Sequence, residues 1–223
     1  SQGDFDLYRS VFELEKKTKV FYLKDINSLK GTSILKKNKI DYIFSLSSRF
    51  IFKSKIVSDF KNKIFNIHPS ILPEEKGGGT FTYRILNKKN FCAATIHLIN
   101  EEIDAGPILL QSKKEKLKIE SLPIDYLKHT NLIYKSLIRL FVNKITKNNK
   151  FILKSNNKSK GWYLPRFYTD LSGLINWSWS GENVNLFIKA CSKPYTGAFC
   201  FLKHKNKDLK ITIYNSSFKK NIF

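Results

Sequence analysis

Short apolar segments alternate with helical patterns along the first half of the chain, and this alternation strongly limits the folds open to it. Segments 19–23, 40–46 and 63–68 are rich in β-branched and aromatic residues, which favour strands. Between them, segments 26–37 and 52–62 have the spacing of helices or turns. Because strands that alternate with helices are typical of parallel sheets, we predict an α/β, Rossmann-like fold. Its sheet should be mostly parallel, with helices on both faces.

A polar segment rich in Lys, Asn and Ser, at 148–160, marks a change of pattern. Beyond it the chain holds aromatic-rich segments, one further helical pattern and one hairpin pattern. We therefore predict a first domain at 1–148, a linker at 149–160 and a small α+β C-terminal subdomain at 161–223.

Size and composition fit a globular protein, since 26.0 kDa with 42% apolar residues is enough for a real core. No apolar run reaches the roughly 18 residues needed to span a bilayer, and no signal peptide is recognisable. We expect a cytoplasmic protein without membrane contact. Cys92, Cys191 and Cys200 are odd in number and form no C-x-x-C pair, so we expect reduced packing cysteines rather than disulfides or metal ligands.

The net charge of +22 would fit a nucleic-acid-binding protein, but its composition argues against one. Only five of the 40 basic residues are arginine, whose planar fork suits phosphate and base recognition best. The lysines are scattered along the whole chain. We do not expect nucleic acid as a partner, whereas a phosphate-bearing small substrate is compatible with this charge.

Polar residues with catalytic potential lie at the end of the third predicted strand, which Pro69 terminates. Because side chains alternate along a strand, Asn66 and His68 project from the same face. Ligands of open α/β sheets bind at the carboxyl ends of the strands. Asp104 follows in the sequence Ile103-Asp104-Ala105-Gly106. An amide, an imidazole and a carboxylate together suggest acyl transfer, although each motif alone is more typical of a turn.

Three further histidines have no partner in a recognisable motif, and we interpret them as structural or exposed: His97, His129 and His204.

The residues around this motif resemble those of a known family. The matching segments are Asn66-x-His68, Ser70-Ile71-Leu72-Pro73, Thr95-Ile96 and Ile103-Asp104-Ala105-Gly106-Pro107-Ile108. They look like the signature region of the folate-dependent formyltransferases. Segments 175–179 and 194–199 resemble the C-terminal region of the tRNA and sugar branches. The resemblance covers residues 18–112 and 161–214 and is strongest toward the sugar N-formyltransferases.

The resemblance implies a mechanism. The formyl donor would be 10-formyltetrahydrofolate, the product tetrahydrofolate, and no metal would take part. Asn66 would donate to the developing oxyanion, His68 would move the protons, and Asp104 would orient the imidazole.

The resemblance also implies five residues that contact the folate. Four of them follow His68, namely Ser70, Ile71, Leu72 and Pro73, and the fifth, Phe50, lies beyond the second predicted strand. Three glycines follow that form either a flexible loop or a loop that a substrate can approach closely: Gly77, Gly78 and Gly79.

The acceptor is inferred from what the chain lacks relative to the tRNA enzymes. Segment 3–20 has no long Arg/Gly-rich insertion, and the tail 161–223 is short for their barrel-like domain. The resemblance therefore implies a nucleotide-linked amino sugar as acceptor, for bacterial surface polysaccharide such as O-antigen, and a homodimeric enzyme. One alternative is a methionyl-tRNA formyltransferase. The other is a non-catalytic, lysine-rich nucleic-acid-binding protein on the same scaffold.

The sequence departs from the family pattern in two places. The first is expected to matter little, and the second concerns the start of the chain. Ala93 stands where glycine is usual, at a packing position of a strand. The chain is expected to begin near the end of the family's first strand-helix-strand unit. The absence of methionine also suggests that residues of the native protein are not in the sequence.

Overall fold

The structure is a computed structural model that describes residues 16–46, 48, 50–147, 151–156, 160–205 and 207–219. Its helices are α1 (Leu29–Lys37), α2 (Ser54–Asp59), α3 (Thr80–Leu86), α4 (Pro123–Thr146), α5 (Thr169–Ser172) and α6 (Gly181–Ala190). Its strands are β1 (Ile43–Leu46), β2 (Ile64–His68), β3 (Glu75–Gly77), β4 (Phe91–Cys92), β5 (Thr95–Leu98), β6 (Ile108–Gln111), β7 (Glu115–Lys116), β8 (Trp162–Leu164), β9 (Ala198–His204) and β10 (Lys207–Ile213).

The central sheet has four strands in the order β1-β2-β5-β6. Strands β1 and β2 are parallel, while β5 is antiparallel to both β2 and β6. The α/β architecture is therefore confirmed, but the described sheet is mixed rather than mostly parallel. Apolar residue patterns do not distinguish the two directions, because side chains alternate in the same way in both.

One predicted strand is absent. Segment 19–23 has no regular secondary structure, and Phe21 and Tyr22 leave 49% and 68% of their surface exposed. A strand needs a hydrogen-bonded neighbour as well as suitable residues. Within the part of the chain that the structure describes, β1 pairs only with β2.

Helices cover both faces of the sheet, as predicted. Phe65 of β2 and Ile96 of β5 pack against α4, which contributes Ile133, Leu137 and Phe141 at helical spacing to the same core. On the opposite face Ile64 packs with residues of α1 and α2, where Ile56 and Phe60 are buried. Asn66 and His68 share the face of Ile64, since side chains alternate along β2.

The C-terminal part combines short helices with a hairpin and has its own core, built from Ile175, Phe187, Ile188, Cys191 and Ala198. Helix α6 begins after Ser180, whose hydroxyl accepts a hydrogen bond from the Asn183 backbone N–H. Strands β9 and β10 form the predicted hairpin.

The described part of the predicted linker, residues 151–156, packs on the first domain. Lys154 forms a β-bridge with Ile108, and the rings of Phe151 and Phe65 meet edge to face with 5.5 Å between their centroids. Strand β8 also pairs with β3 of the first domain. The division at 148 and 160 stays a prediction, and its residues 1–15, 148–150, 157–159 and 220–223 lie outside the described part.

Two smaller expectations concern cysteines and membrane spans. Cys92, Cys191 and Cys200 are free thiols, the first two of them buried. No helix in the described part of the chain is long and apolar enough to cross a membrane.

Candidate active site

Asn66 and His68 lie at the carboxyl end of β2 and face the same side of the sheet, as the alternation predicted. In the antiparallel pairing of β2 with β5, Asn66 is opposite His97 and His68 is opposite Thr95. Side chains of cross-strand partners are neighbours, so His97 and Thr95 of β5 lie directly beside Asn66 and His68.

Asp104 lies in the loop between β5 and β6, with a left-handed φ of 51°. Asn156 holds this loop, donating from Nδ2 to the backbone oxygens of Asp104 and Gly106 at 2.9 and 3.0 Å. Gly106 allows the tight return of the chain, since a Cβ there would lie 1.8 Å from the Leu98 oxygen. The unusual backbone of Asp104 is thus fixed by its neighbours, which directs its carboxylate toward β2.

The Asp104 carboxylate lies between two imidazoles. Its Oδ2 is 3.4 Å from His68 Nδ1, and its Oδ1 is 3.4 Å from His97 Nε2. The backbone N–H of Gly77 also donates to Oδ2, at 2.8 Å. The three residues predicted to act together are therefore assembled, with His97 among them.

Backbone carbonyls define the tautomers of both histidines, because a carbonyl oxygen only accepts hydrogen bonds. His68 Nε2 lies 2.8 Å from the Glu75 carbonyl oxygen, so this nitrogen carries a proton. His97 Nδ1 lies 2.8 Å from the Leu98 carbonyl oxygen and carries a proton too. His97 Nε2 is then free to accept from the Asn66 amide at 3.2 Å. In neutral His68, Nδ1 is the nitrogen that can take up a proton.

The pKa values of the pair are shifted in ways that suit proton transfer. Burial is the main reason why the pKa of His68 lies below its usual 6.5, and it outweighs the opposing charge of Asp104. Burial raises the pKa of Asp104, but its interactions with His97, His68 and the Gly77 backbone N–H outweigh that effect and lower it. At neutral pH the site therefore holds a neutral His68 next to an ionised Asp104.

The predicted folate segment after His68 is held tightly to β5 and β6. Ser70 donates to the Glu75 carbonyl at 2.5 Å, and Thr95 donates to the Ser70 carbonyl at 2.6 Å. Gln111 donates to the carbonyl of Leu72 at 2.9 Å. Ser70 and Leu72 are buried, whereas Ile71 and Pro73 are partly accessible. Only the latter two side chains can be reached by a ligand in this arrangement.

An open cavity of about 400 Å³ lies at the carboxyl end of β1. It is lined by Ile26, Phe44, Ser45, Leu46, Ser48, Phe50 and Phe52. Because β1 and β2 are parallel, with Ser45 opposite Asn66, the cavity adjoins the end of β2 where the candidate catalytic residues lie. Phe50, the predicted folate contact, is 44% exposed there. Residues 47 and 49 lie outside the described part.

The three glycines have defined backbone roles. Gly77 belongs to β3, pairs with Leu164 and has a φ of 90°, while Gly79 has a φ of 69° and precedes α3. A Cβ on Gly77 would lie 2.2 Å from the Leu164 oxygen. Of the two alternatives left open by the sequence, a flexible loop does not describe Gly77, which is paired on one side and bonded to Asp104 on the other.

His97 was missed as a site residue. It is 2% exposed and contacts both Asn66 and Asp104, whereas His129 and His204 are exposed as predicted. The signal was available, because His97 lies two positions after Thr95 on a strand and therefore shares its face. No group of side chains suited to hold a metal ion occurs among the described residues.

Sequence profiles of known families match the chain in two blocks. The profile described as "Formyl transferase" matches residues 24–123, and that described as "Formyl transferase, C-terminal domain" matches residues 169–222. Together they cover more than half of the chain.

Two curated relatives cover much of the chain at about one third identity. The bifunctional polymyxin resistance protein ArnA of Wigglesworthia glossinidia brevipalpis is 34% identical over 207 residues, which are 91% of this chain and 30% of that protein. The methionyl-tRNA formyltransferase of Flavobacterium johnsoniae is 30% identical over 166 residues, 73% of this chain and 51% of that protein. The chain thus spans about a third and about half of the lengths of these relatives.

Solved structures share the fold. A sugar N-formyltransferase from Shewanella superposes with a TM-score of 0.68 at 23% identity, covering 87% of this chain and 77% of that one. The formyltransferase PseJ from Anoxybacillus kamchatkensis was solved with UDP-4,6-dideoxy-4-formamido-L-AltNAc and tetrahydrofolate. It superposes with a TM-score of 0.55 at 23% identity, covering 70% of this chain and 77% of that one. Fold and both sequence blocks agree, and the chain belongs to the formyl transferase family.

Proposed function

We propose that the protein is an N-formyltransferase that moves a formyl group from 10-formyltetrahydrofolate to the amino group of a nucleotide-linked amino sugar. The observation that carries the proposal is the assembly of Asn66, His68 and Asp104 at one strand end in a chain of this family.

His68 is the proposed proton carrier. Its Nε2 is engaged by the Glu75 carbonyl, so Nδ1 takes the proton that the attacking amine releases. Once protonated, Nδ1 faces the Asp104 carboxylate at 3.4 Å, which stabilises the imidazolium. Protonated His68 then returns the proton to the leaving nitrogen.

Asn66 is the proposed donor to the formyl oxygen, which becomes negatively charged as the amine attacks. One of its amide hydrogens is engaged by His97, and the other is free for the substrate. Loss of such a donor typically costs about 2.7–4 kcal/mol of transition-state stabilisation.

The formyl donor would bind in the cavity beside β1. Phe44, Phe50 and Phe52 give it an apolar, aromatic lining, which suits a flat heterocycle. Ile71 and Pro73, the accessible members of the predicted segment, are proposed as further contacts. The tetrahydrofolate bound in the PseJ structure supports a folate donor. The folate supplies the activated formyl group, and the proposed chemistry needs no metal ion.

A sugar acceptor is supported by structural neighbours that are named as sugar N-formyltransferases or were solved with an amino-sugar product, although a methionyl-tRNA formyltransferase from Clostridium thermocellum shares the fold as well. Gly77, Gly78 and Gly79 are proposed to border the acceptor, since Gly77 contacts Asp104 directly. A role in surface polysaccharide such as O-antigen would follow from that substrate. The relative from Flavobacterium keeps methionyl-tRNA as the second candidate acceptor.

A homodimer is proposed because the hairpin β9–β10 leaves apolar side chains accessible. Leu202 and Leu209 lie opposite each other across the strands and are 53% and 46% exposed. Ile211 lies on the same face. A patch of this kind is typical of a protein interface.

The acceptor is tested with purified protein and 10-formyltetrahydrofolate, offering a panel of nucleotide-linked amino sugars in parallel with methionyl-tRNA. Release of tetrahydrofolate and mass spectrometry of the acceptor measure the transfer. We expect turnover with at least one amino sugar and none with the tRNA. Turnover with the tRNA alone would contradict the sugar proposal, and tRNA binding without any transfer would favour the non-catalytic alternative.

A further inference from the structure

We propose that the buried ion pair between Glu75 and Arg84 is a positioning device for catalysis, because it fixes the strand that holds both His68 and Asp104. This inference rests on the function proposed above and assigns a role to two residues outside the catalytic trio.

Strand β3 contacts both catalytic side chains. The carbonyl of Glu75 accepts from His68 Nε2 at 2.8 Å, and the N–H of Gly77 donates to Asp104 Oδ2 at 2.8 Å. Ser70 also donates to the Glu75 carbonyl. A shift of β3 would therefore change the orientation of the imidazole and of the carboxylate together.

The strand itself is short and has little support from its own pairing. It has three residues and pairs with β8, another three-residue strand whose Trp162 is 76% exposed. An isolated two-stranded ladder is marginally stable in water. Additional anchoring is needed to keep the Glu75 carbonyl in place.

The side chain of Glu75 supplies that anchor. Its Oε2 accepts from Arg84 Nε at 2.9 Å and from Nη2 at 2.7 Å, while Lys89 lies 3.4 Å from Oε1. Arg84 also donates from Nη1 to the Phe91 carbonyl at 3.1 Å, with its guanidinium 4.4 Å from the centre of the Phe91 ring. The pair thus ties β3 to helix α3 and strand β4.

Stability alone is a weak reason for such a pair. Arg84 is 1% exposed and Glu75 is 5% exposed, so both charges are taken out of water. Replacement of a buried ion pair by apolar residues is often neutral or stabilising. A role in orienting the site accounts for the pair where a purely structural role does not.

Arg84 also acts on His68 through its charge. Burial is the largest cause of the low pKa of His68, and Asp104 and the Glu75 carbonyl oppose it, while the charges of His97 and Arg84 lower it further. Removal of the Arg84 charge is expected to raise the pKa of His68.

The test compares the wild-type enzyme with the double variant Glu75→Leu/Arg84→Met, which removes both buried charges and takes the Glu75 partner only from the half-exposed Lys89. Formyl transfer to the active acceptor is measured across pH, together with unfolding in urea. We expect a folded protein whose kcat falls at least tenfold while the KM values for the folate and the acceptor change less than threefold, because the pair orients the catalytic groups and does not touch the substrates. A kcat within twofold of the wild type would overturn the inference.

Two further variants make the result specific. Glu75→Gln keeps the shape of the side chain and serves as the test if the double variant does not fold. For this variant, the expected result is a loss of kcat. Lys88→Ala breaks the exposed pair of Lys88 with Glu182 near the same helix and should leave kcat unchanged. An equal loss of kcat in Lys88→Ala would also overturn the inference. Wild-type protein without formyl transfer would overturn the proposed function and this inference with it.

Discussion

At the scale of residues, the candidate site works through the placement of one carboxylate. Asp104 reaches His68 and His97 with its two oxygens, and a left-handed backbone and the Asn156 clamp hold it there. Burial keeps His68 neutral, and the polar neighbours of Asp104 keep its carboxylate ionised, which is the combination that a general base with a stabilising partner requires.

This combination predicts the pH dependence of the reaction. His68 must be neutral to accept a proton, and its pKa lies below the ordinary 6.5. Activity should therefore be retained as pH falls through 6.5 and be lost only at lower pH, as His68 becomes protonated. The acid limb of kcat/KM measures this value for the free enzyme.

The variant Asp104→Asn provides the matching comparison. The charge of Asp104 raises the pKa of His68, so its removal should move the acid limb to still lower pH while it reduces the rate. An acid limb at or above pH 6.5 in the wild type, or a limb that rises in the variant, would contradict this electrostatic account.

The residues differ in how far the sequence could predict them. Alternation along β2 predicted that Asn66 and His68 share a face, and the meeting with Asp104 followed only from the family resemblance. His97 could have been found by the same alternation along β5. The pairing of Glu75 with Arg84 could not, since it joins a strand to the following helix across a turn that periodicity does not describe.

At the scale of elements, short strands position the candidate site, and the longest helix packs against the central sheet. Helix α4 begins at Pro123 and buries one face against the sheet. Strand direction and the loss of a strand at 19–23 were not predictable, because they depend on which neighbours the segments meet. The hairpin β9–β10 was predicted correctly from its residue types.

The hairpin provides the test of the proposed dimer. The double variant Leu202→Lys/Leu209→Lys places two charges on the apolar cross-strand pair, so we expect a monomer of about 26 kDa where the wild type has twice that mass. Light scattering during size-exclusion chromatography measures the mass. Leu29→Lys, at an 87% exposed position of α1, should leave the dimer intact. A wild-type monomer would contradict the proposal.

At the scale of the whole molecule, the fold and the two matched family segments agree, whereas neither of them accounts for the high net charge. A surplus of 22 positive charges is spread through a chain whose site is built from neutral and acidic groups. The charge is compatible with a nucleotide-linked substrate, whose phosphates it would attract at long range. The class of fold and the family could be predicted from separate segments of the sequence. The acceptor could not, because the loops that bind it follow no pattern shared across the family.

The measurement that tests the central claim most directly is formyl transfer by His68→Ala beside His129→Ala, with 10-formyltetrahydrofolate and the acceptor that the wild type uses. Both changes remove an imidazole, but His68 lies beside Asp104 whereas His129 is exposed on α4. The account predicts a loss of kcat of about 10²–10⁴-fold for His68→Ala and wild-type turnover for His129→Ala. Near wild-type turnover by a folded His68→Ala protein would contradict it.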